Sequence, residues 1–269
     1  MTMLTPTSDL TQENYYDRST DWDYQSPTFF KKFLKCEAET MAELNGEYSD
    51  MNHEALLVGN YLHSYFESSE SHQKFIDDHK SEIMTRTKKL RAPFEKAEDM
   101  IDTLKEDSLF QGLYQGEKEA IVTGFIDGVQ WKGKVDCLNL KRGYFLDLKT
   151  SRDIHKKFWN NEDREWQSFV AEYNYQLQMY VYRELIRQTF DIETTPYIVA
   201  VSKEKVPDKM VISIPDYRLE EAAMQIDKFQ NHIEDVKAGR VEPARCGKCD
   251  YCKSTAKLGK IVSMDDLIE

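Results

Sequence analysis

The stretch Trp131-Lys-Gly-Lys-Val-Asp136-Cys-Leu-Asn-Leu-Lys-Arg-Gly143-Tyr-Phe-Leu-Asp147-Leu-Lys149-Thr-Ser-Arg-Asp153 decides how the chain is read. Val135 to Leu140 reads as a strand that carries Asp136. Lys141-Arg142-Gly143 is a tight turn, the glycine supplying a positive φ. Tyr144 to Leu148 is a second, mostly apolar strand delivering Asp147 and, two residues later, Lys149. Side chains two apart on a strand share a face, so Asp147 and Lys149 point the same way. Asp136 comes within cross-strand reach if the hairpin closes at the turn.

Two carboxylates, with the carbonyl of Leu148 between Asp147 and Lys149, offer a hard oxygen site for Mg²⁺ or Mn²⁺ that keeps some waters. A water activated there, with help from Lys149, can attack a phosphodiester. The same residues also suit an exposed hairpin with ordinary surface charges, so the rest of the chain has to choose.

With 269 residues the chain can bury a proper core, as one large domain or one domain with appendages. It is 40% hydrophobic and 31% charged, and no apolar run approaches the length of a membrane span. The start, Met-Thr-Met-Leu-Thr-Pro, lacks the pattern of a signal peptide. Three of the five cysteines crowd into Cys246-Gly-Lys-Cys249-Asp-Tyr-Cys252, unlike a secreted disulfide framework, which points to the cytoplasm. A net charge of −12 argues against non-specific coating of nucleic acid but not against a nuclease, whose local basic patches decide contact.

Residues 1–25 read as an arm, 26–240 as the main domain and 241–269 as a cysteine knuckle and tail. Ser26-Pro27 opens a helix that Gly46 closes, with Ser26 as cap, Cys36 midway and Phe29, Phe30, Phe33 and Leu34 as its apolar stripe. A helix from Met51 to Glu67 puts His63 and Glu67 on one face. Ser71 to Asp107 is helical with a break near Pro93, and its basic run Arg86 to Arg91 reads as a solvated helix face. Glu117 to Phe125 is a strand bearing Glu119, which could join the acidic cluster. A mobile polar loop follows the hairpin over Arg152 to Glu162. One long helix then spans Glu165 to Phe190, carrying two pairs, Gln176/Tyr180 and Gln178/Tyr182, that face opposite ways. Two strands, Tyr197–Ser202 and Met210–Ile214, flank a turn at Pro207-Asp208. A last long helix runs from Asp216 to Ala238.

Taken in order, Gly59-Asn-Tyr-Leu-His63, Lys134-Val-Asp136, Asp147-Leu-Lys149-Thr and a following Gln-x-x-x-Tyr make the chain resemble the PD-(D/E)XK nuclease superfamily over about residues 26 to 252. The likeness is to its phage and prophage RecE-like exonuclease branch. The first motif has Val135-Asp136 where the family's nominal pattern is Pro-Asp. The resemblance implies an α/β, restriction-endonuclease-like core: a central mixed sheet of about five strands flanked by helices, with the active site at one sheet edge. It implies Asp136 and Asp147 as metal-binding carboxylates with His63 as a further ligand or orienter, and Lys149 as the residue that positions or activates water. Gln178/Tyr182 is the implied DNA-contacting pair, since the family's glutamine follows a Tyr-x-x, here Tyr175-Gln-Leu. It further implies resection of linear double-stranded DNA for recombination, a ring-like homo-oligomer and a single-strand annealing protein as partner. Some relatives, including AddB-like and CRISPR-associated nucleases, hold a [4Fe–4S] cluster on one upstream and three C-terminal cysteines. Cys36, Cys246, Cys249 and Cys252 match that order, and four thiolates suit such a cluster or, ranked second, Zn²⁺. Two other readings stay open: a single-strand or flap nuclease with an iron–sulfur cluster, and a non-catalytic zinc-stapled DNA-binding protein. Cys137 alternates with Asp136 and is expected in the core.

Overall fold

The computed structural model describes residues 10–49, 53–161, 163–259 and 261–267. The expected helix start at Met51, the first nine residues of the arm and the loop end at Glu162 lie outside the described residues. Eight helices come first: α1 Arg18–Asp23, α2 Pro27–Lys35, α3 Glu37–Asn45, α4 His53–Glu67, α5 Ser69–Asp78, α6 Lys80–Ile83, α7 Ala92–Lys105 and α8 Ser108–Leu113. Three long strands follow, β1 Glu117–Ile126, β2 Val129–Asn139 and β3 Tyr144–Ser151. A small ribbon comes next, β4 Phe158–Asn160 and β5 Glu165–Gln167. The chain closes with α9 Phe169–Glu172, α10 Tyr175–Phe190, β6 Thr195–Ser202, β7 Lys209–Ser213, α11 Asp216–Lys237, α12 Asp250–Ser254 and a 3₁₀ turn at Met264–Leu267.

β1, β2, β3, β6 and β7 form one sheet in that order, with β3 and β6 parallel and every other pair antiparallel. The α/β architecture and the mixed five-stranded sheet are as expected. Helices cover both faces, and each face has its own core. Phe30, Phe33, Phe145, Leu177, Leu185 and Ile226 are buried between the sheet and α2, α10 and α11. On the opposite face Leu62, Phe94, Met100, Leu146, Leu148 and Val199 are buried with α4 and α7. β3 therefore alternates cleanly, with Phe145 on one face and Leu146 and Leu148 on the other. Period-two geometry assigns Asp147 and Lys149 to the α2/α10 face.

Several expected elements are cut differently. The single helix over Ser26–Gly46 is two helices. Ser26 does cap α2, its hydroxyl accepting from Phe29 N–H at 3.3 Å, and Gly46 ends α3 at φ +77°. Between them Cys36 is extended (φ −163°, ψ 105°), which breaks the helix and turns the residue toward the other cysteines. The basic run Arg86–Arg91 is not on a helix. It forms an exposed turn closed by a Met84–Leu90 bridge, and Pro93 begins α7 rather than interrupting a helix. The loop over Arg152–Glu162 contains β4, which pairs with β5, so the helix expected from Glu165 begins only at Tyr175. Asn174, in the left-handed conformation at φ 50°, separates α9 from α10.

The described part of the arm packs on the sheet. Gln25 bridges Trp131, and the Lys132 ammonium reaches Asp21, the hydroxyl of Thr20 and the carbonyl of Tyr15. Among the described residues no helix is long and apolar enough to cross a membrane.

Candidate active site

The strand registers place three carboxylates in one row. β2 and β3 pair through Asn139↔Tyr144, Leu138↔Phe145 and Cys137↔Leu146, and the next residues in step are Asp136 and Asp147. On the other side of β2, Lys118↔Cys137 and Ala120↔Val135 bracket Glu119, which falls opposite Asp136. Asp136 makes a regular ladder pair on neither side. Its Oδ2 instead accepts from the Leu148 N–H at 2.5 Å, so a side chain occupies the gap where β2 and β3 part. Face alternation slips at the same point: Val135 belongs to one core and Cys137 to the other. Glu119 has φ 52°, an unusual backbone for a strand residue. The acids therefore reach from edge strand β1 into middle strand β3, and the centre is not confined to one sheet edge.

A cavity of about 340 Å³ collects these acids with His63, Lys149, Gln178 and Tyr182. His63 Nδ1 lies 3.3 Å from Asp136 Oδ1. Gln178 Nε2 donates to Asp147 Oδ1 at 2.8 Å and lies 3.0 Å from the Tyr182 hydroxyl. Asp147 Oδ2 is paired with the Lys149 ammonium. Glu119 Oε2 lies 3.1 Å from the Lys134 ammonium. The other glutamine–tyrosine pair is elsewhere: Gln176 faces the β5–β7 side and its buried Oε1 has no hydrogen-bond partner. Glu67 stands outside the His63–Glu119–Asp136 group.

Burial and mutual repulsion set the charge states. Glu119 is pushed up to about 7 by burial and then by the Asp136 charge, against the pull of Lys134. Asp147 is raised because burial and Asp136 outweigh the Lys149 ammonium. Asp136 goes the other way: burial is overcome by His63, Lys149 and the Leu148 N–H, and its pKa falls. His63 is correspondingly held up by Asp136 despite its burial. Besides Tyr15 and Thr28, two residues not singled out from the sequence complete the wall. Lys31 of α2 reaches over the Tyr175 ring, and burial beside Lys149 pulls its amine down to about 7. Tyr16 of the arm is the other. Neither belongs to a local motif; tertiary packing alone delivers them.

The donor set fits a divalent cation. His63, Glu119 and Asp136 each offer a ligand atom, all within 4.8 Å of one another, and Asp147 adds a buried oxygen held beside them by the Lys149 ammonium. Hard carboxylates with one imidazole suit Mg²⁺ or, with the nitrogen, Mn²⁺. In an extended strand a residue's amide and carbonyl leave on the same side, so the Leu148 carbonyl also looks toward β2. Glu119 is the ligand candidate that motif spacing left open.

The four cysteines also meet. Cys36 Sγ lies 3.5 Å from Cys252 Sγ and 3.7 Å from Cys249 Sγ, with Cys246 to Cys252 at 4.0 Å. Four thiolates gathered in this way can hold an iron–sulfur cluster or a zinc ion. Cys137 is fully buried in the core, as expected.

Known proteins share this fold. The structure of a putative exonuclease from Eubacterium rectale superposes with a TM-score of 0.91 and is 35% identical, covering 97% of this chain and 98% of its own. A second solved structure, SSO0001, is 14% identical over 76% of this chain and 95% of its own, with a TM-score of 0.32, too weak a likeness to carry an argument. No curated protein matches significantly. A family model for a PDDEXK-like domain of unknown function (DUF3799) matches residues 26–255, from the cap of α2 through the last cysteine. By both fold and family model, the chain belongs to that PDDEXK-like family, whose fold is that of nucleases.

Proposed function

We propose that the protein is a metal-dependent deoxyribonuclease that resects linear double-stranded DNA from its ends. The observation that carries this reading is the row Glu119, Asp136, Asp147, buried in one cavity with Lys149. Bound there, Mg²⁺ or Mn²⁺ would polarise a phosphoryl oxygen and lower the pKa of an attacking water. Gln178 orients Asp147 through Oδ1. Lys149, its ammonium held by Asp147 and its pKa raised by the two acids once burial is overcome, stays protonated and can stabilise charge developing on the phosphate. His63 steadies Asp136 and adds a nitrogen donor.

Likeness to the Eubacterium rectale protein and to the RecE-like branch supports exonuclease action. The same branch supports a ring-like homo-oligomer and a single-strand annealing partner. An iron–sulfur cluster held on the four cysteines would favour a second reading, a nuclease acting on single strands or flaps. A non-catalytic zinc-stapled DNA binder fits less well, because three buried carboxylates facing a phosphate would repel it unless a cation intervenes.

Digestion of linear duplex, flapped and covalently closed circular DNA with Mg²⁺ or Mn²⁺, wild type beside Lys149→Ala, tests these readings. Loss of linear duplex alone, with about a thousandfold slower cleavage in the variant, is expected. Preference for flaps selects the second reading. Inert wild type with every substrate and either metal overturns both.

A further inference from the structure

Beside the acidic cavity, and sharing Asn60, His63, Lys149 and Tyr175 with it, lies a cleft of about 950 Å³. Resting on the nuclease reading above, we infer that this cleft is the track for one strand of DNA, its phosphates held by Arg152, Lys156 and Lys203 and its bases laid against Phe158 and Tyr173. The charge supports it. The chain carries −12 overall, yet Lys96, Lys149, Arg152, Lys156 and Lys203 line this cleft against two carboxylates, Glu54 and Asp153. Among the described residues, Arg152, Lys156 and Lys203 have no carboxylate within ion-pair distance, although most other cations near the sheet do. Lys203 is half-buried and its pKa is lowered, by burial and then by the Arg152 guanidinium. Glu54 offsets this only in part, so the crowded pair still favours an incoming anion.

The aromatic side says what kind of polyanion. Phe158, on the first strand of the β4–β5 ribbon, packs against Tyr173 with ring centroids 5.9 Å apart, and Tyr173 continues to Tyr175 at 5.7 Å. This string of rings leads to Lys149, whose ammonium lies 5.0 Å from the Tyr175 centroid. Cations along a groove walled by successive aromatic rings make a single-strand platform, sequence-tolerant because every base has a π face. The cleft has room for a few nucleotides of one strand. A strand lying in it is delivered end-on to the three acids, so the duplex separates before it reaches them.

Fluorescence anisotropy with labelled oligothymidylate in EDTA, where no cleavage occurs, tests the track using the full chain. Arg152→Glu with Lys203→Glu is expected to weaken binding at least tenfold. The slope of log affinity against log salt, from about 50 to 200 mM, should fall by about 1.4, or about 0.7 per phosphate contact. Phe158→Ala should weaken binding about tenfold with the slope unchanged, the mark of lost stacking. Thermal melts confirm that each variant folds. Affinity and slope equal to wild type in the double variant overturn the track, as does blunt duplex DNA competing as well as the single strand. Hydrolysis of bis(p-nitrophenyl) phosphate by wild type with Mn²⁺ judges the acidic centre separately. Its absence, with strand binding intact and variant-sensitive, sinks the nuclease reading and leaves the track standing.

Discussion

At the scale of single residues, Glu119 and Gln178 are the informative positions. Glu119 has its pKa raised to about 7 by burial and by Asp136, so the native state holds this proton more tightly than the unfolded chain. Fewer protons on the unfolded state mean stability that falls as pH rises from the ordinary glutamate range through about 7. In metal-free protein Glu119→Gln removes that penalty. The variant should melt above wild type at pH 7.5, and the gap should close at pH 5, where the wild-type carboxyl is protonated. A constant gap, or none, in melting temperatures measured with EDTA would show that Lys134 compensates the charge fully. For the two interleaved pairs, Gln178→Ala should slow cleavage tenfold or more by freeing Asp147, while Gln176→Ala should stay within about twofold. Steady-state rates on linear DNA decide between them. Both pairs were visible as motifs. Which one faces the acids depended on how α10 is rotated against the sheet.

Among the elements, α2 matters most. Ser26 caps its start, Lys31 and Thr28 line the acidic cavity, and Cys36 ends it inside the sulfur cluster. The cysteines tie this helix to the far end of the chain, since Cys36 lies 3.5 Å from Cys252. Metal analysis should find one centre per chain on the four thiolates, an iron–sulfur cluster or a zinc ion. Cys252→Ser, or exhaustive chelation, should lower the melting temperature by about 5 °C or more, because a structural metal site contributes folding energy directly. A full melting temperature without metal would reduce the cluster to four free thiols. Ser26→Ala removes one cap bond and should cost about 1 kcal/mol, read as a melting shift of about 2–4 °C. The breaks at Cys36 and Asn174 explain why helix patterns ran too long when read locally. Apolar spacing continues across both positions, and only the pull of distant partners makes the backbone turn there.

For the whole molecule, the expectation to test is assembly. Light scattering on purified protein should give a mass of three or more chains if a ring forms, and a single-chain mass would remove the ring from the proposal. The acidic surface makes non-specific coating of DNA unfavourable, so productive contact has to be local, at the cleft beside the carboxylates.

The sequence by itself determined the β2–β3 hairpin, the alternation that puts Asp147 and Lys149 on one face of it, the Ser26 cap, the Gly46 stop, and the α/β class. All of these depend on neighbours a few residues away: turn chemistry, the pleat and hydrogen bonds within a helical turn. Only the tertiary structure decided that Glu119 stands in line with Asp136 and Asp147. It alone brought Lys31 and Tyr16 to the cavity and Cys36 to cysteines more than two hundred residues later. These placements follow from strand register and from which helix covers which face of the sheet. Such contacts join residues far apart in sequence, and no local pattern records them.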